Sequence, residues 1–273
     1  MRTDLADYHV HTSRCGHAEG TMEEYVEQAL ALGLAEIGFS DHLHLYWIPQ
    51  EERDPGLAMA EEELPRYVES VLRLRERYPQ IPIRLGLEAD YIPGKEETLR
   101  RILTPYPWDY VYGSIHFIGE WGFDDPRYME RYNRWDVDEL YRHYFGLVKD
   151  AAATGLFDIM GHLDVVKKFG HRPAGDATEL YREVASALKA AGVAIEVSTA
   201  GLRKPVGEIY PAPALLAECA RQGIPAGLGS DSHRPAEVGI HFDRALEALR
   251  AAGYRETVRF EARRRRPVPL PFL

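Results

Sequence analysis

The chain has 273 residues, 45% hydrophobic and 28% charged, with a formal net charge of −10. Its acidity argues against a general binder of nucleic acid or of anionic membranes. No apolar run approaches the roughly 20 residues of a membrane span.

The first stretch, Asp7-Tyr8-His9-Val10-His11 with His17 close behind, reads as an extended strand through Leu5, Tyr8 and Val10. Residues two apart on a strand share a face, so His9 and His11 project together, as two neutral imidazoles must to hold one metal ion. A helix follows, with Thr21 as N-cap, Glu24 completing a capping box and Gly33 closing the far end. Met22, Tyr25, Val26, Ala29 and Leu30 line one face of it. A strand at 36–40 runs into Asp41-His42, and the polar, proline-containing stretch 45–61 reads as a loop.

Residues 64–78 repeat the helical pattern, and 83–88 form a strand closing on Glu88. A short helix near 95–103 precedes a strand at 110–114 that delivers His116. Residues 119–135, rich in Trp, Tyr, Arg and Asp, read as a long loop over one mouth of the fold. Helix 137–153 leads to strand 157–160, ending at Gly161-His162. Helix 176–191, strand 193–197, helix 211–222 and strand 224–229 continue the alternation up to Ser230-Asp231-Ser232-His233. A last helix covers 243–252 and an edge strand 258–262. Arg263 to Arg266, with the Pro-rich ending, read as a solvated or docked tail rather than a nucleic-acid patch.

Seven strands alternating with helices predict a parallel sheet, closed at this length into a barrel. The open doubly wound alternative lacks a G-x-G-x-x-G or Walker loop. A barrel of about 250 residues is ordinary as one domain, so 1–273 is expected to be a single unit. Cys15 and Cys219 make no disulfide framework, and there is no signal peptide; both point to the cytoplasm.

In such barrels the chemistry sits at the C-terminal ends of the strands. His9, His11, His42, Glu88, His116, His162, Asp231 and His233 all fall there, with His17 in a nearby loop. Asp231 and His233 repeat the two-residue spacing. An unpaired carboxylate at the end of Glu88's apolar strand would be costly to bury, and bridging two cations removes that cost. About nine ligating side chains exceed what one tetrahedral ion takes. Two or three clustered divalent ions are therefore expected, with zinc, iron or manganese all compatible with imidazole and carboxylate donors. Cys15 could ligate but fits a small buried residue. His44, His143, His171 and His241 read as non-ligands.

These motifs, in this order, resemble the polymerase-and-histidinol-phosphatase (PHP) family across residues 7 to 233. The resemblance implies a distorted (β/α)7 barrel with a trinuclear site. One ion would be held by His9, His11, Glu88 and Asp231, a second by His17, His42 and His233, and a third by His116 and His162 with Glu88 bridging. The segment from Glu196 to Lys204, with Glu208-Ile209-Tyr210-Pro211 and Gly161-His162-Leu163-Asp164, resembles the family's stand-alone histidinol phosphatases. Within it, Arg203 is placed to clamp a phosphate with its planar fork. Lys204 is a further substrate contact, and Glu208 would meet the cationic amine or imidazole.

The expected reaction is hydrolysis of L-histidinol phosphate by a metal-bridging hydroxide, with Glu88, Asp231 and Arg203 in catalytic roles. The partner is then a small phosphate ester rather than nucleic acid or membrane, with homo-oligomerisation left open. The rival readings are a phosphoesterase for nucleotides or nucleic-acid ends, a non-catalytic metal-binding protein, and a hydrolase of C–N bonds. The last lacks a candidate bridging lysine.

Overall fold

The structure, a computed structural model, describes residues 4–271. Parallel strands carry it. Ala6–Asp7 (β1) pairs with Glu36–Phe39 (β2), and β2 pairs with Ile83–Leu85 (β3). After a break at Gly86-Leu87 the chain resumes as Glu88–Asp90 (β4), which pairs with Tyr112–Ser114 (β5). A small antiparallel hairpin, Phe117–Ile118 (β6) and Trp121–Gly122 (β7), comes next. Then β5 pairs with Ile159–Met160 (β8), β8 with Ala194–Ser198 (β9), and β9 with Ala226–Gly229 (β10).

Two seams turn these ladders into a ring. Val10 bridges Ser232 in parallel, and the His11 N–H donates to the Ser232 carbonyl at 2.9 Å. On the other side His42 bridges Glu88, whose N–H donates to the Asp41 carbonyl at 3.1 Å. With β3 and β4 counted as one interrupted strand, the ring has the seven expected positions. The single strand expected over 83–88 is broken at Gly86-Leu87, where it passes from pairing with β2 to pairing with β5. A Cβ at Gly86 would lie 2.3 Å from ring carbons of Tyr110, which fills the barrel interior at that level.

Helices Met22–Leu32 (α1), Glu63–Arg77 (α2), Glu96–Leu103 (α3), Val137–Ala153 (α4), Thr178–Ala191 (α5), Pro213–Arg221 (α6) and Phe242–Ala252 (α7) surround the strands. The Thr21–Glu24 capping box forms reciprocally, and Gly33 closes α1 at φ 69°. Helix α1 buries Met22, Tyr25, Val26 and Ala29, the stripe its spacing predicts. Each such large side chain removed from water contributes about 1.5–3 kcal/mol. Among the described residues no helix is long and apolar enough to cross a membrane.

The C-terminal stretch differs from the expected tail. Glu256–Glu261 (β11) and Arg264–Pro269 (β12) form an antiparallel hairpin, and Phe272 and Leu273 lie outside the described residues. Val258 and Phe260 pack with Ala6, Tyr8, Tyr110, Tyr112, Ile159 and Ala194, sealing the N-terminal end of the barrel. The arginines of this hairpin are tethers. Arg266 and Arg259 reach the buried Glu36, Arg263 reaches Asp158, and Arg265 donates to the Gly192 carbonyl. The 119–135 stretch is also more ordered than a loop, since β7 is followed by 3-10 turns over Pro126–Arg134. Trp121 packs there against Tyr132 and Trp135, with ring centroids 4.8 and 6.3 Å apart.

Candidate metal centre

At the opposite end of the barrel the strand ends converge. His9 and His11, both fully buried, point to one side with ring centroids 5.1 Å apart. His9 Nε2 lies 3.3 Å from Glu88 Oε2, and His11 Nε2 lies 3.1 Å from Asp231 Oδ1. His42 Nδ1 approaches Glu88 Oε2 at 2.8 Å, and His162 Nε2 approaches Glu88 Oε1 at 2.9 Å. The Nε2 atoms of His116 and His162 face each other at 3.2 Å, and those of His17 and His233 at 2.9 Å. All nine side chains singled out as metal donors in the sequence thus meet in one cluster.

The donor set fits divalent cations. Donor atoms of His9, His11 and Asp231, of His9, Glu88 and His162, and of His17, His42 and His233 each lie within 4.8 Å of one another. His9 Nε2, His11 Nε2 and Glu88 Oε2 are buried and make no hydrogen bond. Unsatisfied groups of this kind are costly in a core, and a cation that accepts imidazole nitrogen and carboxylate oxygen relieves the cost. His11, Cys15 and His233 form a further grouping. The Cys15 thiol, however, donates to the Thr12 carbonyl at 3.1 Å, and burial pushes its pKa up. His44, His143, His171 and His241 join none of these groupings.

Electrostatics follow from the crowding. Burial alone would raise the Glu88 carboxyl, but His42 and His9 hold it well below the usual range. Asp231 is likewise held low against burial, by His9 and His11. Asp231 adopts φ 52°, a left-handed conformation costing of the order of 1–3 kcal/mol in a non-glycine residue. That strain falls at the site.

A second layer of acceptors was not legible in the sequence. Glu196 Oε1 lies 2.7 Å from His9 Nδ1 and Asp90 Oδ1 lies 3.0 Å from His116 Nδ1, while Asp41 Oδ1, 3.4 Å from His11 Nδ1, adds charge without a hydrogen bond. Backbone carbonyls do the same elsewhere, Cys15 O for His17 and Asp231 O for His233. Such partners fix the tautomer and aim the opposite nitrogen at a metal. The available signal was a lone acid inside an apolar strand, as Glu196 is in Ala194–Ser198.

The cluster opens into a cavity of about 390 Å³, also lined by Asp124, Val165, Lys168, Arg203, Lys204 and Tyr210. Arg203 Nη2 donates to the carbonyls of Ser230 and Asp231 at 2.8 and 3.0 Å, while its Nη1 makes no hydrogen bond. Asp124, which the sequence did not single out, pairs with Lys168 at 3.2 Å. Burial would raise the Asp124 carboxyl, yet the Lys168 ammonium brings it down to about 2. Glu208 departs from expectation. It does not line this cavity, and its carboxylate is held by Lys167 at 3.0 Å and Arg172 at 2.8 Å.

Comparison with known proteins adds to this geometry. The PHP domain pattern matches residues 7–200. A probable histidinol-phosphatase of Deinococcus radiodurans is 43% identical over 267 residues, covering 97% of this chain and 100% of that protein. The histidinol-phosphatase of Bacillus subtilis is 30% identical over 266 residues, 88% of this chain and 98% of that one. Among solved structures, the histidinol phosphate phosphatase of Lactococcus lactis, complexed with zinc, L-histidinol and phosphate, superposes with a TM-score of 0.80. It shares 26% identity over 96% of this chain and 99% of that one.

Proposed function

The chain belongs to the PHP domain family, and from that premise we infer that it hydrolyses L-histidinol phosphate to L-histidinol and phosphate, the phosphatase step of histidine biosynthesis. The observation that carries the reading is the convergence of seven imidazoles with Glu88 and Asp231 at the floor of one small cavity. Its volume of about 390 Å³ lies in the range of small-molecule sites. The acidic chain charge favours such a substrate over nucleic acid.

We assign one ion to His9, His11, Glu88 and Asp231, a second to His17, His42 and His233, and a third to His116 and His162 with Glu88 shared. When bound, such ions neutralise phosphoryl oxygens and activate water. The protein's own groups do the rest. Arg203, braced on the Ser230 and Asp231 carbonyls, sits with Nη1 uncommitted as a donor for phosphate. Lys168 and Lys204 add positive charge to the same wall. Glu196 and Asp90 hold His9 and His116 in one tautomer, so little reorganisation is needed as charge develops. The substrate's amine and imidazole fall to groups other than Glu208, whose charge is already neutralised.

Residues 1–273 are taken as one catalytic domain, and the two free buried cysteines suit the cytoplasm. The test is phosphate release from L-histidinol phosphate by zinc-loaded and by chelator-stripped protein. Release lost on stripping and restored by metal is expected. A loaded protein inert toward this ester but active on nucleotides would overturn the assignment.

A further inference from the structure

The donor groups of the centre are not equivalent. His9 and His11 are fully buried, the Glu88 side chain is 1% exposed and that of His162 is 4% exposed, with His116 at 11% and Asp231 at 17% towards the mouth. His17 is an exposed residue, and the side chains of His42 and His233 are 16% and 22% exposed. Charge divides the donors the same way. The inner groupings contain the carboxylates Glu88 and Asp231, whereas the outer grouping of His17, His42 and His233 holds imidazoles alone.

The second layer follows the division for most of the donors. Carboxylates of Glu196 and Asp90 back His9 and His116, while His17 and His233 are backed by the carbonyls of Cys15 and Asp231; His42 alone of the outer three faces a carboxylate, Glu88 Oε2 at 2.8 Å. A carboxylate behind an imidazole raises its basicity and its hold on a metal more than a neutral carbonyl does.

We propose that the centre holds two classes of metal: inner ions retained by the buried carboxylate-bearing groups, and an outer ion on His17, His42 and His233 that exchanges with the medium. This rests on the reading of the cluster as a metal centre. Losing an inner ion strands the buried Glu88 carboxylate without its counter-charge, which is strongly unfavourable. Losing the outer ion leaves three partly exposed rings that water can reach. The inner cations also repel an outer one, and the outer triad contributes no carboxylate of its own, since Glu88 beside His42 is shared with the inner groupings. Phosphatase activity then tracks the free-metal level through the outer triad, without unfolding of the inner site.

The experiment follows zinc-loaded full-length protein after addition of a chelator, reading metal content by mass spectrometry beside phosphate release from L-histidinol phosphate. One ion per chain should leave at least about tenfold sooner than the rest. Activity should fall with that ion and return on adding zinc. His17→Ala, checked for folding by circular dichroism, should lack the fast phase and keep the slow ions. A single release phase, or a fast phase that survives in His17→Ala, overturns the proposal even where turnover is normal. Two phases without any turnover of this ester support it and remove the substrate assignment instead.

Discussion

His9 Nδ1 and Glu196 Oε1 lie 2.7 Å apart, and neither side chain is exposed to solvent. The other oxygen, Glu196 Oε2, accepts the His162 backbone N–H at 2.7 Å, so one carboxylate orients two members of the cluster. Gly229 makes room for it, since a Cβ there would sit 1.8 Å from Glu196 Oε1. Glu196→Gln keeps the shape but loses the charge, and should lower metal affinity or activity about 10–100-fold. Gly229→Ala should lower both by displacing the same carboxylate. Metal titration of the two folded variants checks this; wild-type affinity and turnover in Glu196→Gln would leave the carboxylate without an orienting role.

Acid should weaken metal loading, with a sign that the metal-free protein fixes. Burial alone would strip the proton from His11, but the Asp231 and Asp41 carboxylates hold its pKa up to about 9. His17 goes the other way, down to about 4, through lost solvation on its inner side and the neighbouring His42 and His11. At pH 7 a cation must therefore expel a proton from His11 but none from His17. Loading should release protons, and apparent affinity should rise by about tenfold per pH unit for each proton displaced, up to pH about 9. Zinc addition to stripped protein in weak buffer reads this directly. Uptake with no acidification would contradict it.

The parts of the molecule visible in the sequence are those governed by local periodicity. A two-residue strand repeat put His9 beside His11, and a three-residue offset made the Thr21–Glu24 box. What escaped depends on partners far along the chain. Position 86 admits only glycine because the Tyr110 ring, 24 residues on, occupies the space a Cβ would need. Glu208 looked free for substrate until Lys167 and Arg172 came to neutralise it. The arginine run at 263–266 read as a solvated or docked tail, and what holds it could not be named because its acceptors, Asp158, Gly192 and Glu36, lie in three other elements or their flanking turns. No pattern within the run itself encodes them.

Arg203 carries the phosphate assignment. Arg203→Ala should lower kcat/KM by about 10²–10³-fold, the usual cost of removing one preorganised donor to developing charge. Arg203→Lys should recover little, because a single ammonium cannot both brace the Ser230 and Asp231 carbonyls and present a second donor. Metal content measured alongside separates lost phosphate binding from a displaced Asp231. Turnover within about twofold of wild type in Arg203→Ala would remove the assignment.

The opposite end of the barrel should behave as scaffold only. Glu36, almost completely buried, accepts the Tyr8 hydroxyl at 2.7 Å, Arg84 at 2.9 Å and Arg266 at 3.0 Å, with Arg259 at 3.4 Å. Glu36→Ala removes the buried counter-charge of Arg84 and Arg259, whose side chains are 12% and 10% exposed and which keep only Glu261 and Asp4 as acceptors, and should cost about 3 kcal/mol. Arg266 is 54% exposed and adds little to that figure. Tm should fall by roughly 10 °C. Glu36→Gln, which keeps an acceptor for Tyr8, should lose less. With the metal-binding cluster at the other mouth, kcat per folded molecule should stay within about twofold, because this end of a barrel supports stability rather than catalysis. Thermal melts paired with assays below the melting range test both halves. A collapse of kcat in fully folded Glu36→Gln would show that the hairpin seal communicates with the metal centre through Tyr8 and the adjoining His9.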